Sequence, residues 1–214
     1  MREEQVQPDR RRAQEKYRRL ASRYDRLVRL AEGVRRESVE RLQLKAGDVV
    51  LDIGCGTGLS FPLFEERIGR EGTIVGIELS AEMLGKARER IDNAGWQNVT
   101  LVESAVENAE IPVEADAALF HFTHDIMRSP PAVENVVRHL KMGGRIVSAG
   151  GKWAPWWALP VNLVMWRASS RYVTTFEGFG RPWSHLGPYV PDLRVKSVLF
   201  GAGYIAWGTV GGAS

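Results

Sequence analysis

Apolar side chains follow two rhythms along this chain. From Arg10 to Arg29 they recur at Ala13, Tyr17, Leu20, Ala21, Tyr24, Leu27 and Val28, a three-and-four spacing that draws one stripe along a helix. A second short helix is expected from Arg35 to Leu44, closed by Lys45-Ala46-Gly47 with basic and glycine residues where a helix C-terminus favours them. The texture then changes to short apolar runs at Asp48–Ile53, Thr73–Ile77, Val99–Val102, Ala115–Phe122 and Arg145–Ala149. These read as strands, the first two of them buried. Between them lie helical stripes: Leu59–Ile68, the helix of Met83, Leu84 and Ala87 behind an N-cap at Ser80, and Ala132–Leu140 opened by Pro130 and Pro131. Strands alternating with helices imply an α/β fold with a doubly wound, parallel sheet.

After Gly151 the alternation stops. Trp153, Trp156, Trp157 and Trp166 crowd one stretch, and Phe176, Phe179 and Trp183 follow. Two late strands, Leu193–Phe200 and Tyr204–Val210, flank Gly201-Ala202-Gly203. That hairpin signal adds one antiparallel C-terminal strand to the sheet. The organisation expected is a basic helical arm or lid over residues 1–45 and one domain over 46–214, with an aromatic-rich insertion near 152–190.

Composition alters this picture little. With 44% hydrophobic and 26% charged residues the values are those of a globular chain, and the single cysteine, Cys55, excludes an internal disulfide. The N-terminus has no apolar run behind its charges, and the stretch Trp153–Met165 is broken by Pro155 and Pro160. Neither a secretory signal nor a transmembrane helix is expected, and a reducing, cytoplasmic setting fits. The formal net charge of +3 divides unevenly: residues 1–45 hold 14 Lys/Arg against 8 Asp/Glu, a local +6 that leaves −3 for the rest. Such an arm could meet nucleic acid or anionic lipid, or be a solvated amphipathic helix whose arginines pair with nearby glutamates.

Chemistry concentrates in Val49-Val50-Leu51-Asp52-Ile53-Gly54-Cys55-Gly56-Thr57-Gly58, a strand running into three alternate glycines and then a helix. Glycines there allow a sharp turn and close approach of a ligand to backbone. A dinucleotide fingerprint would place its third glycine where Leu59 stands, and no Lys-Ser or Lys-Thr pair follows as in a P-loop. Asp52 at the strand tip would repel a pyrophosphate but suits a ligand carrying sulfonium and ammonium charges. Glu78, 20 residues beyond Gly58, ends the second strand, where a carboxylate can accept both hydroxyls of a ribose.

With Glu78-Leu79-Ser80-Ala81-Glu82-Met83-Leu84 behind it, the Asp52-x-Gly54-x-Gly56-x-Gly58 loop resembles the class I S-adenosylmethionine-dependent methyltransferases. The resemblance runs from about residue 47 to 150, through the His139-Leu-Lys-Met-Gly-Gly-Arg-Ile-Val147 turn into the fifth strand. Within that class the arm Tyr17–Asp25 and the Glu78–Arg88 helix are most similar to the small ubiquinone/menaquinone and phospholipid methyltransferase-like group. It implies a Rossmann-like, seven-stranded sheet and S-adenosylmethionine as cofactor. By the same resemblance Gly54, Gly56 and Gly58 pass under the methionine and ribose, with Asp52, Cys55, Met83 and Phe120 around them. Glu78 holds the ribose hydroxyls and Leu79 lies against adenine. The family often sets an acidic residue at the end of the third strand for the adenine amino group; here Ser104 stands at that position, followed by Ala105.

Phe120-His121-Phe122-Thr123-His124-Asp125 leaves the fourth strand on the edge that, in this class, faces the transferable methyl. His121 and His124 are the candidate catalytic bases, against a reading as structural histidines; Asp125 suits a turn cap and Cys55 a small buried residue. Trp153, Trp156 and Trp157, with Tyr17 and Tyr24 from the arm, are the candidate acceptor contacts. A second core layer or a dimer surface would also account for the tryptophans. The expected reaction is in-line methyl transfer to oxygen, nitrogen or carbon of an apolar or aromatic small molecule. Alternatives are a cofactor-binding protein that does not methylate or that cyclises its ligand, and a phospholipid or quinone methyltransferase in peripheral contact with a membrane. No metal and no nucleic-acid partner are expected, and both monomer and homodimer stay open.

Overall fold

The computed structural model describes residues 32–159, 162, 163, 166, 176 and 178–211. The arm helix over 10–29, with Tyr17 and Tyr24, lies outside the described residues. Seven strands form one sheet in the order β3-β2-β1-β4-β5-β7-β6: β1 Val49–Ile53, β2 Thr73–Glu78, β3 Val99–Glu103, β4 Ala115–His121, β5 Leu140–Gly151, β6 Arg194–Val198 and β7 Gly203–Thr209. β1 to β5 pair in parallel, while β7 runs antiparallel to both of its neighbours, β5 and β6. The hairpin at the C-terminus therefore supplies the one reversed strand, inserted between β5 and β6.

Helices cover both faces. α1 (Glu32–Leu42), α2 (Phe61–Ile68) and α3 (Ala81–Ala94) pack on one side; α4 (His124–Met127) and α5 (Pro130–Arg138) follow β4 on the other. Burial alternates along the strands accordingly. Leu51, Ile53, Ala118 and Phe120 face the α5 core, whereas Val50, Ala117 and Leu119 face the core under α1 and α2. By that two-residue period Asp52 and His121 belong to the α1 side. α1 lies across β4, β5 and β7, burying Val34, Val39 and Leu42. Residues 32–42, expected to belong to the arm, are thus part of the main core.

Local signals explain most boundaries. Ser80 caps α3, accepting from the Met83 backbone at 3.4 Å, and Gly95 closes it in the left-handed region at φ 70°. Pro62 sits in the first turn of α2. β5 begins five residues before the expected Arg145, because Leu140 already pairs with Ala115 and the Gly143-Gly144 step takes up a register shift. β6 stops at Val198, short of the expected Phe200, since Leu199 and Phe200 turn with positive φ of 51° and 55°. No helix among the described residues is long and apolar enough to cross a membrane.

Candidate functional site

Strand order reverses between β1 and β4, so the loops leaving their C-terminal ends diverge to opposite faces and open a crevice. The loop after β1 carries Gly54, Gly56 and Gly58 with φ of 65°, 57° and 72°. A side chain at Gly54 would place its Cβ 2.6 Å from Thr123 Cγ2, and one at Gly58 would fall 2.6 Å from the Phe61 ring. Both conformation and close approach demand glycine here. The loop is tied down by the Cys55 amide donating to Ile77 O (3.0 Å) and the Gly58 amide donating to Cys55 O (3.0 Å). Cys55 is buried, and a Cβ on Gly76 would lie 2.9 Å from its Sγ, so the thiol points into the core beneath the loop. Burial pushes that thiol well above its ordinary range, which leaves it inert.

Glu78, at the end of β2, is gripped by three backbone amides: Leu79 and Ser80 donate to Oε1 at 2.8 and 2.9 Å, and Gly56 donates to Oε2 at 3.1 Å. Its carboxyl is therefore aimed across the rim of the glycine loop. Burial raises its pKa, opposed by those three bonds. The Ser104 amide donates to Glu78 O at 3.1 Å, which sets the end of β3 beside the same rim; the Ser104 hydroxyl donates to Ala105 O at 3.0 Å. Met83 is buried under the first turn of α3. Phe120 is buried in the α5-side core, so only its backbone can face the crevice.

Asp52 occupies β1 between Gly76 and Leu119, fully buried, and its Oδ2 has no hydrogen-bond partner. Burial pushes its pKa up to about 7, the nearby Arg35 charge pulls it back, and Glu78 adds to the rise. Arg35 comes from α1, is itself buried, and donates from Nη1 to Glu32 at 2.7 Å, with its Nε unpartnered. The same guanidinium, after burial, is the second influence that holds His121 well below the usual imidazole range. His121 is buried at the end of β4 and its Nε2 is unpartnered. Arg35, Asp52 and His121 are thus buried polar side chains, with the Arg35 charge bearing on both of the others. Sequence reasoning did not single out Arg35. The signal was present: Arg35, Ser38, Val39 and Leu42 share one helical stripe, and a charge on a core-facing stripe needs a partner.

The far wall of the crevice is aromatic. His124 opens α4 and its ring meets Phe179 edge-on at 5.0 Å. Phe179 meets Trp153 at 5.0 Å, and Trp153 stacks on Phe176 at 5.2 Å. Since Gly54 packs against Thr123 and Ile126, the glycine loop, α4 and this aromatic set are contiguous. Trp156 and Trp157, expected beside Trp153, instead stand exposed, because the chain turns outward after Pro155.

The chemistry of the donor set fits a cationic nucleoside. A buried carboxylate oxygen without a partner demands a donor or a positive charge. The glycine turn, half-buried at Gly54, lets a ligand lie against backbone, and Glu78 can accept hydroxyl donors with its remaining lone pairs.

The strand order and the glycine loop after β1 are like those of the class I S-adenosylmethionine-dependent methyltransferases. Residues 50–144 match the family described as "Methyltransferase domain". The chain is 31% identical over 130 residues to aklanonic acid methyltransferase DauC of Streptomyces sp. (strain C5), covering 59% of each chain. It is 30% identical over 122 residues to phosphatidylethanolamine N-methyltransferase of Cereibacter sphaeroides, covering 56% of this chain and 58% of that protein. The chain therefore spans less than two thirds of the length of the curated relatives it matches. Geranyl diphosphate C-methyltransferase from Streptomyces coelicolor A3(2) shares the fold, with a TM-score of 0.65, 18% identity, and coverage of 86% of this chain and 79% of its own. That protein was solved in complex with Mg2+, geranyl diphosphate and S-adenosyl-L-homocysteine.

Proposed function

We propose that the protein transfers the methyl group of S-adenosylmethionine to an apolar or aromatic small molecule held between the glycine loop and the Trp153–Phe176–Phe179 wall. The observation that carries this reading is the contiguity of the glycine loop after Asp52 with α4 and with an aromatic wall that offers no charge to an acceptor. S-adenosylmethionine, held along the glycine loop and by Glu78, would supply an electrophilic methyl carbon and leave as a neutral thioether, with any proton of the acceptor passing to water or to a neutral ring nitrogen. His121 is held neutral by burial, and so can accept a hydrogen bond from an incoming hydroxyl without carrying a charge that would compete with the sulfonium. The protein's main contribution is alignment in a site with little water.

Relatives named for phosphatidylethanolamine, aklanonic acid and demethylmenaquinone support the aromatic wall as an acceptor surface, whereas one named for protein L-isoaspartate does not favour it. The test is to incubate the protein with methyl-labelled S-adenosylmethionine and a panel of phenols, quinols and lipophilic amines. Label should appear in product in equal amount to S-adenosylhomocysteine. Tight cofactor binding with no S-adenosylhomocysteine formed on any acceptor would reject transfer and favour a non-methylating protein.

A further inference from the structure

Large apolar side chains are not scattered over the surface. Among the described residues nine are exposed, and seven of these fall in two segments, 156–166 and 199–200. Trp156 is 84% exposed, Trp157 69%, Leu159 70% and Phe200 95%. The two segments form one surface. Lys152 Nζ donates to Gly201 O at 2.8 Å, the Lys152 amide donates to Ala202 O at 2.9 Å, and a Cβ on Gly201 would lie 3.0 Å from Pro155. Ala154, Ala158 and Ala202 pack between the segments, so small residues fill the inside and the large ones are turned out.

The turn presenting Phe200 is strained. Leu199 and Phe200 both hold positive φ, a region that bulky residues avoid at a cost of about 1–3 kcal/mol each. A fold that merely needed to reverse direction would place glycine there, as it does at Gly201 with φ 90°.

We infer that the Trp156–Leu159 loop and the Phe200 turn together are a docking surface for an anionic lipid bilayer. The side chains are of the kind that settle at the headgroup level, where an indole has apolar and polar surroundings at once. Charge complementarity selects the occupant. The run Trp153–Trp166 contains no charged residue and is bracketed in sequence by Lys152 and Arg167, and residues 152–181 hold Lys152, Arg167, Arg171 and Arg181 against Glu177 alone, a net +3. Two weak terms, apolar insertion and attraction to anionic headgroups, add to give stable binding. Trp153 leads from this surface into the aromatic wall of the crevice, so the docked face is the one through which a lipophilic molecule would enter.

The inference does not depend on methyl transfer, and its readout requires none. The full chain is sedimented with vesicles of phosphatidylcholine alone and with vesicles containing phosphatidylglycerol. Binding is expected to the anionic vesicles, weakened but not abolished by salt. The W156S/W157S/F200S variant should partition at least about tenfold less, with unchanged melting temperature and S-adenosylmethionine affinity. Brominated acyl chains should quench the fluorescence of the native protein and lose most of that quenching in W156F/W157F, a change mild enough to keep the fold. Absence of sedimentation with either vesicle overturns the inference. So does sedimentation that the triple substitution leaves intact, which would assign binding to the basic N-terminal sequence. A concentration-dependent dimer that the triple variant dissolves, without vesicle binding, would make the patch a contact between copies.

Discussion

Replacing Asp52 by Asn should stabilise this protein at alkaline pH while weakening its hold on the cofactor. Asp52 is buried in β1 and its pKa is pushed from an ordinary 3.8 to about 7. The folded state therefore binds a proton that the unfolded chain releases between about pH 4 and 7, so stability falls as pH rises through that window. A displacement of that size corresponds to roughly 4 kcal/mol once the carboxyl is ionised in the fold. Asn mimics the protonated acid in shape and carries no charge, so D52N should lack this pH-dependent loss. At pH 8 it should gain up to about 4 kcal/mol, which for a chain of this length is about 8–16 °C in Tm. Urea denaturation of both proteins at pH 5 and pH 8 measures it: near-equal stabilities at pH 5, and a gap favouring D52N at pH 8. Calorimetry at pH 8 should in parallel show S-adenosylmethionine bound at least about tenfold more weakly, since the unpartnered Oδ2 proposed to meet the cation is gone. A variant less stable than the native protein at pH 8 would refute the strain assigned to Asp52. Undiminished affinity would remove it from the cofactor site.

The same titration governs the native protein: cofactor affinity should drop about tenfold from pH 8 to pH 6, as Asp52 takes up a proton, and D52N should show no such slope. Arg35→Met removes the charge that pulls Asp52 down, so the pH at which affinity is lost should move upward, with binding recovered at higher pH. An affinity loss independent of pH would mean Arg35 acts only by packing. Glu78→Ala, and separately Gly56→Val at a backbone with φ 57°, should each weaken binding by about tenfold or more; calorimetry that shows both variants at native affinity would dissolve the assignment of this loop. NAD should not compete for the site, because Asp52 repels a pyrophosphate, and displacement of S-adenosylmethionine by micromolar NAD would contradict that electrostatic argument.

The amino-acid sequence alone determined the elements of this protein and the loop that carries its chemistry. β1 to β4 fall within one residue or so of their apolar runs, the edge strand β3 being only partly buried, and α3 starts at the Ser80 cap, because apolar strand runs and helix caps are written in local side-chain chemistry. The glycine spacing and Asp52 were equally legible, since φ preference and charge are properties of single residues. Which face each side chain serves was decided only by tertiary packing. Phe120 turns into the α5-side core while its neighbour His121 faces α1, and Cys55 drops beneath the loop it belongs to. Arg35 became a site residue because α1 crosses β4 and β5, bringing it from 17 positions upstream of Asp52 to bear on both Asp52 and His121. The tryptophans divided for the same reason. Trp153 stays against Phe176 and Phe179, while Trp156 and Trp157 follow the chain outward past the alanines that lock the two C-terminal loops together. Local rules specify what a residue prefers; burial and long-range charge, which set what it does here, depend on partners far away in the chain.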